Sequence, residues 1–126
     1  MQLSKNFSLL ELTKSQTAER KGIDNTPNAD HIYNLTALAE NILQPVRDEW
    51  GSFIVSSGYR SVALCEAIGS KSTSQHAKGE AADFEVAGVD NYRLASWIEA
   101  NLPFDQLILE CYTGGNTGWI HCSYVP

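Results

Sequence analysis

Two histidines and one aspartate are the residues of this chain whose types and spacing could do chemistry. His76 and Asp83 lie in one short segment, residues 74 to 83, and His121 follows much later, in Trp119-Ile-His121. Zinc binds neutral imidazole nitrogen and carboxylate oxygen, and a catalytic site uses three protein ligands so that a fourth position stays open for water. The three residues supply that number of ligands and predict one catalytic zinc ion per chain.

The surroundings of His76 favour a metal site over an ordinary histidine. The run Lys71-Ser-Thr-Ser-Gln75 is polar, with no apolar periodicity that would ask for a buried ring. Gly79 allows the chain to reverse just after His76. Residues 81 to 86 read as a short strand that begins with small side chains. The reversal can bring Asp83 back to His76. The alternative is that these are unrelated surface or core side chains.

Several motifs along the chain carry a family resemblance. They are Ser57-Gly-Tyr-Arg60-Ser, Ser74-Gln-His76, Gly79-Glu-Ala-Ala-Asp83 and Trp119-Ile-His121-Cys-Ser, together with Phe7-Ser-Leu-Leu-Glu-Leu and Asn41-Ile-Leu-Gln-Pro-Val-Arg47. This combination resembles the zinc D-alanyl-D-alanine carboxypeptidase family, a group of metallopeptidases that includes bacteriophage endolysins, and most of all its small single-domain members. A more distant likeness is to the Hedgehog signalling domain, which shares the zinc-binding fold. The resemblance spans nearly the whole chain.

The resemblance implies a hydrolase, a zinc metallopeptidase of the D,D- or L,D-carboxypeptidase or endopeptidase type, in which His76, Asp83 and His121 bind the metal. It implies a substrate as well, the D-amino-acid-containing stem peptide of bacterial peptidoglycan, and leaves open which bond is cleaved. In the family a glutamate near the last histidine acts as general base, commonly three positions before it. Gly118 occupies that position here, so the nearest upstream acid, Glu110, is the candidate base.

Turn chemistry predicts where Glu110 lies. Residues 107 to 111 and 118 to 124 read as two strands, and Gly115-Asn116 between them is a suitable two-residue hairpin turn. That turn would pair Glu110 directly with His121, with their Cβ atoms about 5 Å apart on one sheet face. A one-residue slip in register would move Glu110 to the other face and make it an ordinary exposed carboxylate.

Arg60 is the remaining candidate for chemistry, since the family places an arginine after Ser-Gly-Tyr close to the substrate. Its planar guanidinium suits a peptide carbonyl, a terminal carboxylate or the charge that develops during attack, and the alternative is an ordinary surface arginine. Ser57, Ser74 and Gln75 could donate hydrogen bonds that orient the metal-bound histidines. His31 lies in a helical run far from every motif and is interpreted as a solvated helix residue.

The composition is that of one small domain with few macromolecular partners. With 126 residues, 43% of them hydrophobic, the chain can bury one core and is too short for two, so residues 1 to 126 are expected to form a single, monomeric domain. The formal net charge is −6 and the Lys and Arg residues total only 9, so no basic stripe is available to bind nucleic acid.

The chain also lacks signals for a membrane. No apolar run approaches the roughly 18 residues needed to span a bilayer, and the first residues lack the apolar core of a secretory signal. We therefore expect no membrane partner and synthesis in the cytoplasm. Action on the cell wall would then require a phage holin or packaging in a virion.

The three cysteines are an odd number, which argues against a disulfide framework and fits a reducing compartment. All three are expected to be core thiols. Strand alternation directs Cys111 and Cys122 away from the proposed site, which disfavours Cys122 as a fourth zinc ligand. Cys65 lies on a short helix with no motif around it.

Helices and strands alternate along the chain without repeats. A capping box at Ser8 opens a short helix that ends near Ser15, and a long helix from about residue 28 to 50 should be kinked or split at Pro45. Its core stripe is formed by Ile32, Leu35, Leu38, Ile42, Val46 and Trp50. Shorter helices are expected over residues 62 to 68 and 91 to 101, and strands near residues 53, 82, 108 and 121. These elements predict an α+β fold in which helices cover a mainly antiparallel sheet of about four strands.

A function of a different class stays open. The likeness to the Hedgehog domain shows that such a zinc site can be kept on a binding module, so the chain could be a phage structural or interaction protein with little hydrolysis. The two hypotheses differ at Glu110, because only an enzyme needs this carboxylate near the attacking water.

Overall fold

The predicted helices and strands are present, and four strands form one antiparallel sheet. The computed structural model describes residues 1 to 126. The elements are α1 (Leu9–Thr13), α2 (Gln16–Lys21), α3 (Ala29–Leu38), a π-helical segment (Ala39–Leu43), α4 (Gln44–Trp50), β1 (Ile54–Ser57), α5 (Val62–Ala67), a 3-10 helix (Gln75–Lys78), β2 (Ala81–Glu85), α6 (Asn91–Asn101), β3 (Leu107–Glu110) and β4 (Trp119–Ser123). The strand order is β1-β2-β4-β3, with every neighbouring pair antiparallel. The α+β fold is confirmed.

The long helix and the sheet share one hydrophobic core. Four residues of the predicted stripe, Leu35, Leu38, Ile42 and Val46, are fully buried, and Ile32 and Trp50 pack partly buried against the same cluster. From the sheet, Phe84 and Ile120 enter this cluster, and from α6 Leu94 and Ile98 do so. The core therefore lies between the helices and one face of the sheet.

Pro45 changes the long helix without breaking it. The turn before it is π-helical, and the backbone N–H of Gln44 donates to the carbonyl of Ala39, five residues earlier. Pro45 has no N–H to donate, and a locally widened turn is a recognised way to accommodate such an interruption. The predicted kink or split is thus a π turn between α3 and α4.

The N-terminal helices are two rather than one. The Ser8 capping box is present, with the Ser8 hydroxyl accepting from the Glu11 N–H and the Glu11 carboxylate from the Ser8 N–H. Ser15, where the sequence predicted an end, caps a second helix by accepting from the Ala18 N–H. A serine can follow the end of one helix and cap the start of the next, and Ser15 does both here.

None of the helices combines the length and the apolar character needed to cross a bilayer.

The register predicted for the β3–β4 hairpin is wrong. Glu110 pairs with Trp119, and Ile108 is the residue opposite His121. The shift amounts to two residues, and side chains alternate with a period of two, so Glu110 still shares the face of His121. The two are diagonal neighbours instead of direct partners.

Tertiary contacts act together with a local turn to set the connection between β3 and β4. The predicted turn at Gly115-Asn116 is present, with the Thr117 N–H donating to the carbonyl of Gly114 at 3.2 Å, but residues 111 to 118 as a whole form a loop and the strand ladder does not continue into this turn. The buried side chain of Asn91 at the start of α6 donates to the carbonyls of Thr117 and Gly118, and its backbone N–H donates to Gly115. Gly118 has a φ of 71°, and a Cβ there would collide with the carbonyl of Glu110. The loop is therefore anchored to a helix that turn rules do not consider.

Candidate metal centre

His76 is delivered to the site by the short 3-10 helix that precedes β2. Ser74 caps this helix by accepting from the His76 N–H at 3.2 Å, and Gly79 ends it with a φ of 77°. His76 is buried, and its Nδ1 lies 2.7 Å from the carbonyl oxygen of Gly58. Since a carbonyl can only accept, Nδ1 carries the proton and Nε2 presents its lone pair.

Asp83 and His121 meet because they are paired residues of β2 and β4. Directly paired residues of an antiparallel sheet point to the same face. Asp83 Oδ1 lies 2.8 Å from His121 Nδ1 and 3.4 Å from His76 Nε2. The three sequence-predicted ligands are therefore brought together, with the two imidazole rings 5.2 Å apart between centroids.

The spacing of the three donors is close to that around a zinc ion, although the 2.8 Å contact between Asp83 Oδ1 and His121 Nδ1 is a hydrogen bond that would lengthen when a metal binds. The candidate donor atoms of His76, Asp83 and His121 all lie within 4.8 Å of one another. Tetrahedral zinc with ligand distances of about 2.1 Å places neighbouring donor atoms about 3.4 Å apart. The donor types and the His76 tautomer also match what zinc requires, so three groups of this chain can hold the metal.

The electrostatics keep Asp83 in the form that binds a cation. Burial would raise the pKa of Asp83, but the hydrogen bonds and charge interactions with His121 and His76 outweigh it and hold the pKa well below its usual range. Arg60 adds an ion pair, with 3.2 Å between Nη2 and Asp83 Oδ2. Asp83 is thus an ionised carboxylate at neutral pH.

Arg60 lies at the cluster and contacts Asp83, a candidate metal ligand. Its Nε donates to the Ser57 hydroxyl at 2.8 Å, and its backbone N–H donates to the carbonyl of His76 at 3.1 Å. The side chain is 20% exposed, so one side of the guanidinium is available to a ligand. Arg60 is therefore fixed by the site and can still reach beyond it.

The predicted orienting residues do not hold the histidine rings. Ser57 binds Arg60, Ser74 caps the backbone of the 3-10 helix, and the Gln75 amide donates to Asp105 at 2.9 Å. The ring of His76 is oriented by the carbonyl of Gly58 instead. Sequence reasoning missed this contact because a main-chain carbonyl can come from any residue, although the Ser-Gly-Tyr-Arg motif does contain Gly58.

Glu110 stands at the end of β3, half-buried and on the same sheet face as His121. It is not one of the three clustered donors. Diagonal neighbours in an antiparallel pair are about 7 to 8 Å apart, a distance that a long side chain spans. The Glu110 carboxylate forms no ion pair within the protein. Its carboxylate is unpaired, and Glu110 lies two residue pairs along the β3–β4 ladder from His121.

Two other sequence interpretations change. His31 is not remote from the motifs, because its ring packs against Tyr59 at 5.1 Å between centroids and its carbonyl lies under Gly79. The packing of α3 against these loops is a tertiary contact that no local pattern encodes.

Cys111 is exposed with a φ of 51°, because β3 ends at the residue before it. It is not a core thiol.

The other two thiols are buried as expected. Burial raises the pKa of Cys122 to about 12, so the group is a neutral thiol at physiological pH. Cys122 follows His121 in β4 and points to the opposite face, into the core cluster. It is not part of the donor set.

The α+β fold, with a His-Asp-His donor set formed by a 3-10 helix and two paired strands, is an arrangement suited to a metal-dependent hydrolase. The family model described as Peptidase M15 matches residues 5–123, and the chain therefore belongs to the Peptidase M15 family. The family resemblance seen in the motifs is confirmed, and the chain is a metallopeptidase of a zinc-dependent family. A comparison with curated proteins found no match.

Proposed function

We propose that this protein hydrolyses peptide bonds that contain D-amino acids in the stem peptides of bacterial peptidoglycan. One zinc ion would be held by His76, Asp83 and His121. The observation that carries the proposal is the convergence of these three donors within 4.8 Å on the sheet face that also bears Glu110. The substrate class follows from membership of the Peptidase M15 family.

The donor set prepares the site for hydrolysis. A zinc ion bound there would supply a polarised water molecule and a Lewis acid for the scissile carbonyl. The chain contributes one negative charge through Asp83, whose pKa is lowered, and imidazole nitrogens from His76 and His121. Gly58 keeps the Nε2 lone pair of His76 directed at the cluster. With three protein ligands, a fourth position remains for water.

Glu110 is the general base of the proposal. It would accept the proton of the attacking water and later give it to the leaving amine. Its carboxylate has no salt-bridge partner to compete for the proton, and its half-buried position on the sheet face of His121 supports this role. Asp83 shares this face as well but is assigned to the metal, and Glu110 is the nearest acid upstream of His121 in the sequence.

Arg60 is proposed to bind the substrate. Its Nε and one Nη are already engaged with Ser57 and Asp83, and a guanidinium has five N–H donors. The remaining donors can hold a peptide carbonyl, a terminal carboxylate or the oxyanion that forms during attack. The ion pair with Asp83 fixes the guanidinium so that little freedom is lost when substrate binds.

The finer assignments belong to the same proposal. The enzyme would act as a carboxypeptidase or endopeptidase of D,D or L,D type, as a single monomeric domain over residues 1 to 126, without nucleic acid or membrane partners. It would reach the cell wall after host lysis begins, as an endolysin does, or as part of a bacteriophage virion.

The test is digestion of purified peptidoglycan with the zinc-loaded protein, followed by mass spectrometry of the released fragments. We expect soluble peptides with new ends at a D-amino acid, and the fragment masses identify the bond. Protein stripped of zinc is the control and should release nothing until zinc is restored. A zinc-loaded protein that is inactive on several cell-wall types would contradict the proposal and favour a binding module.

A further inference from the structure

A groove of about 770 Å³ lies along the open edge of the sheet, next to the candidate metal centre. Its floor and walls come from β1 and from helices α1, α2 and α5. Arg60 lines one part of it and contacts Asp83 with the same guanidinium. The side chain of Arg60 therefore connects the groove to the donor cluster.

The edge of β1 offers unpaired backbone groups to this groove. β1 is the outermost strand and pairs on one side only, with β2. Outside that ladder, no backbone hydrogen bond involves residues 54 to 57. Ile54 is 84% exposed, so the residue at the start of β1 is open to solvent. An extended peptide can add to such an edge as a further strand.

The groove is also positively charged in a chain that is negatively charged as a whole. Lys14, Arg20 and Arg60 line it, three of the 9 Lys and Arg residues in a protein of net charge −6. Lys14 and Arg20 are exposed and form no ion pair. The one acidic lining residue, Glu11, uses its carboxylate in the Ser8 capping box. Two cations are therefore free to meet an anionic ligand.

We infer that an extended, anionic segment of the peptide substrate docks on the β1 edge, with its carboxylates on Lys14 and Arg20. This rests on the proposed peptidase function and adds to it the surface that selects the substrate. Four residues of strand span about 13 Å, and the register irregularity between Val55 and Ser57 interrupts this edge, so it has room to pair about two or three residues of a bound peptide. The end of β1 at Ser57 pairs with Asp83, so a peptide that follows the strand is led to the metal ligands.

The first experiment measures kcat and KM on soluble stem peptides for the zinc-loaded wild type and for Lys14→Gln/Arg20→Gln. An exposed charge pair contributes modestly, so KM should rise about threefold for each lost charge and about tenfold for both, with kcat unchanged. The control variant Lys5→Gln/Lys71→Gln also removes two positive charges, but from positions outside the groove, and it should leave KM unchanged. Equal KM values for the wild type and the groove variant would overturn the inference.

The second experiment measures binding without turnover. Zinc-loaded Glu110→Gln is titrated with the same stem peptides before and after amidation of their carboxylates, and backbone amide signals are followed by NMR. We expect amidation to weaken binding about tenfold, and the amides of residues 54 to 57 to shift and exchange more slowly. Equal affinity for both forms, or shifts confined to the surroundings of His121, would overturn the inference.

The two experiments separate this inference from the proposed function. If the wild type cleaves no cell wall but stem peptides still bind at β1 in a charge-dependent way, the docking inference is supported and the peptidase proposal is contradicted. If the wild type cleaves cell wall and Lys14→Gln/Arg20→Gln has the same KM, the docking inference is contradicted and the peptidase proposal is supported.

Discussion

The guanidinium of Arg60 and the carboxylate of Asp83 form an ion pair, with 3.2 Å between Nη2 and Oδ2. The other oxygen of the same carboxylate, Oδ1, faces the rings of His76 and His121. One carboxylate thus links the candidate metal ligands to the residue proposed to bind substrate. Substitutions on the two sides of this link should affect metal binding and turnover separately.

Substitution of His121 tests the metal side. His121→Ala removes one of three donors, and we expect the zinc content, about one ion per chain in the wild type, to fall to near zero after dialysis. Elemental analysis of the dialysed proteins gives the measurement. His31→Ala is the matched control, because His31 packs on Tyr59 outside the donor set, and it should keep the metal. Full zinc retention by His121→Ala would remove this histidine from the site.

Substitution of Arg60 tests the substrate side. Arg60→Ala should keep zinc and the fold but lower the rate about a hundredfold, since loss of one hydrogen bond to the developing charge costs on the order of 3 kcal/mol. Arg60→Lys keeps the charge but loses the planar fork, so it should recover only part of the rate. Unchanged cleavage of cell-wall peptide by Arg60→Ala would show that the arginine serves the structure alone.

Gly118→Ala tests the observed hairpin. A Cβ at this position would meet the carbonyl of Glu110, and the φ of 71° is unfavourable for alanine. We expect a loss of more than about 2 kcal/mol in the free energy of unfolding, measured by urea denaturation. Gly69→Ala has a similar φ of 79° with open space around it and should lose only about 1 kcal/mol. Equal losses in both variants would show that the close approach at Gly118 is absent.

The clustering of His76, Asp83 and His121 could be predicted from sequence because zinc restricts the donor types and because the motifs are short and distinctive. The face of Glu110 could also be predicted, since strand alternation survives a two-residue shift in register. The residue opposite Glu110 in β4 could not be predicted, because the loop between the strands is held by Asn91, which is distant in sequence. The same applies to the bond between His76 and Gly58 and to the Arg60–Asp83 pair, which join residues 18 and 23 positions apart.

The measurement that tests the central claim most directly is peptide release from peptidoglycan by zinc-loaded wild type and Glu110→Gln. Glutamine keeps the size of the side chain but cannot accept the proton of the attacking water. Glu99→Gln, an exposed change of the same kind on α6, is the control and should behave as the wild type. We predict that Glu110→Gln retains its zinc and its stability and loses nearly all hydrolysis. Hydrolysis at the wild-type rate by zinc-loaded Glu110→Gln would contradict the assignment of Glu110 as the general base.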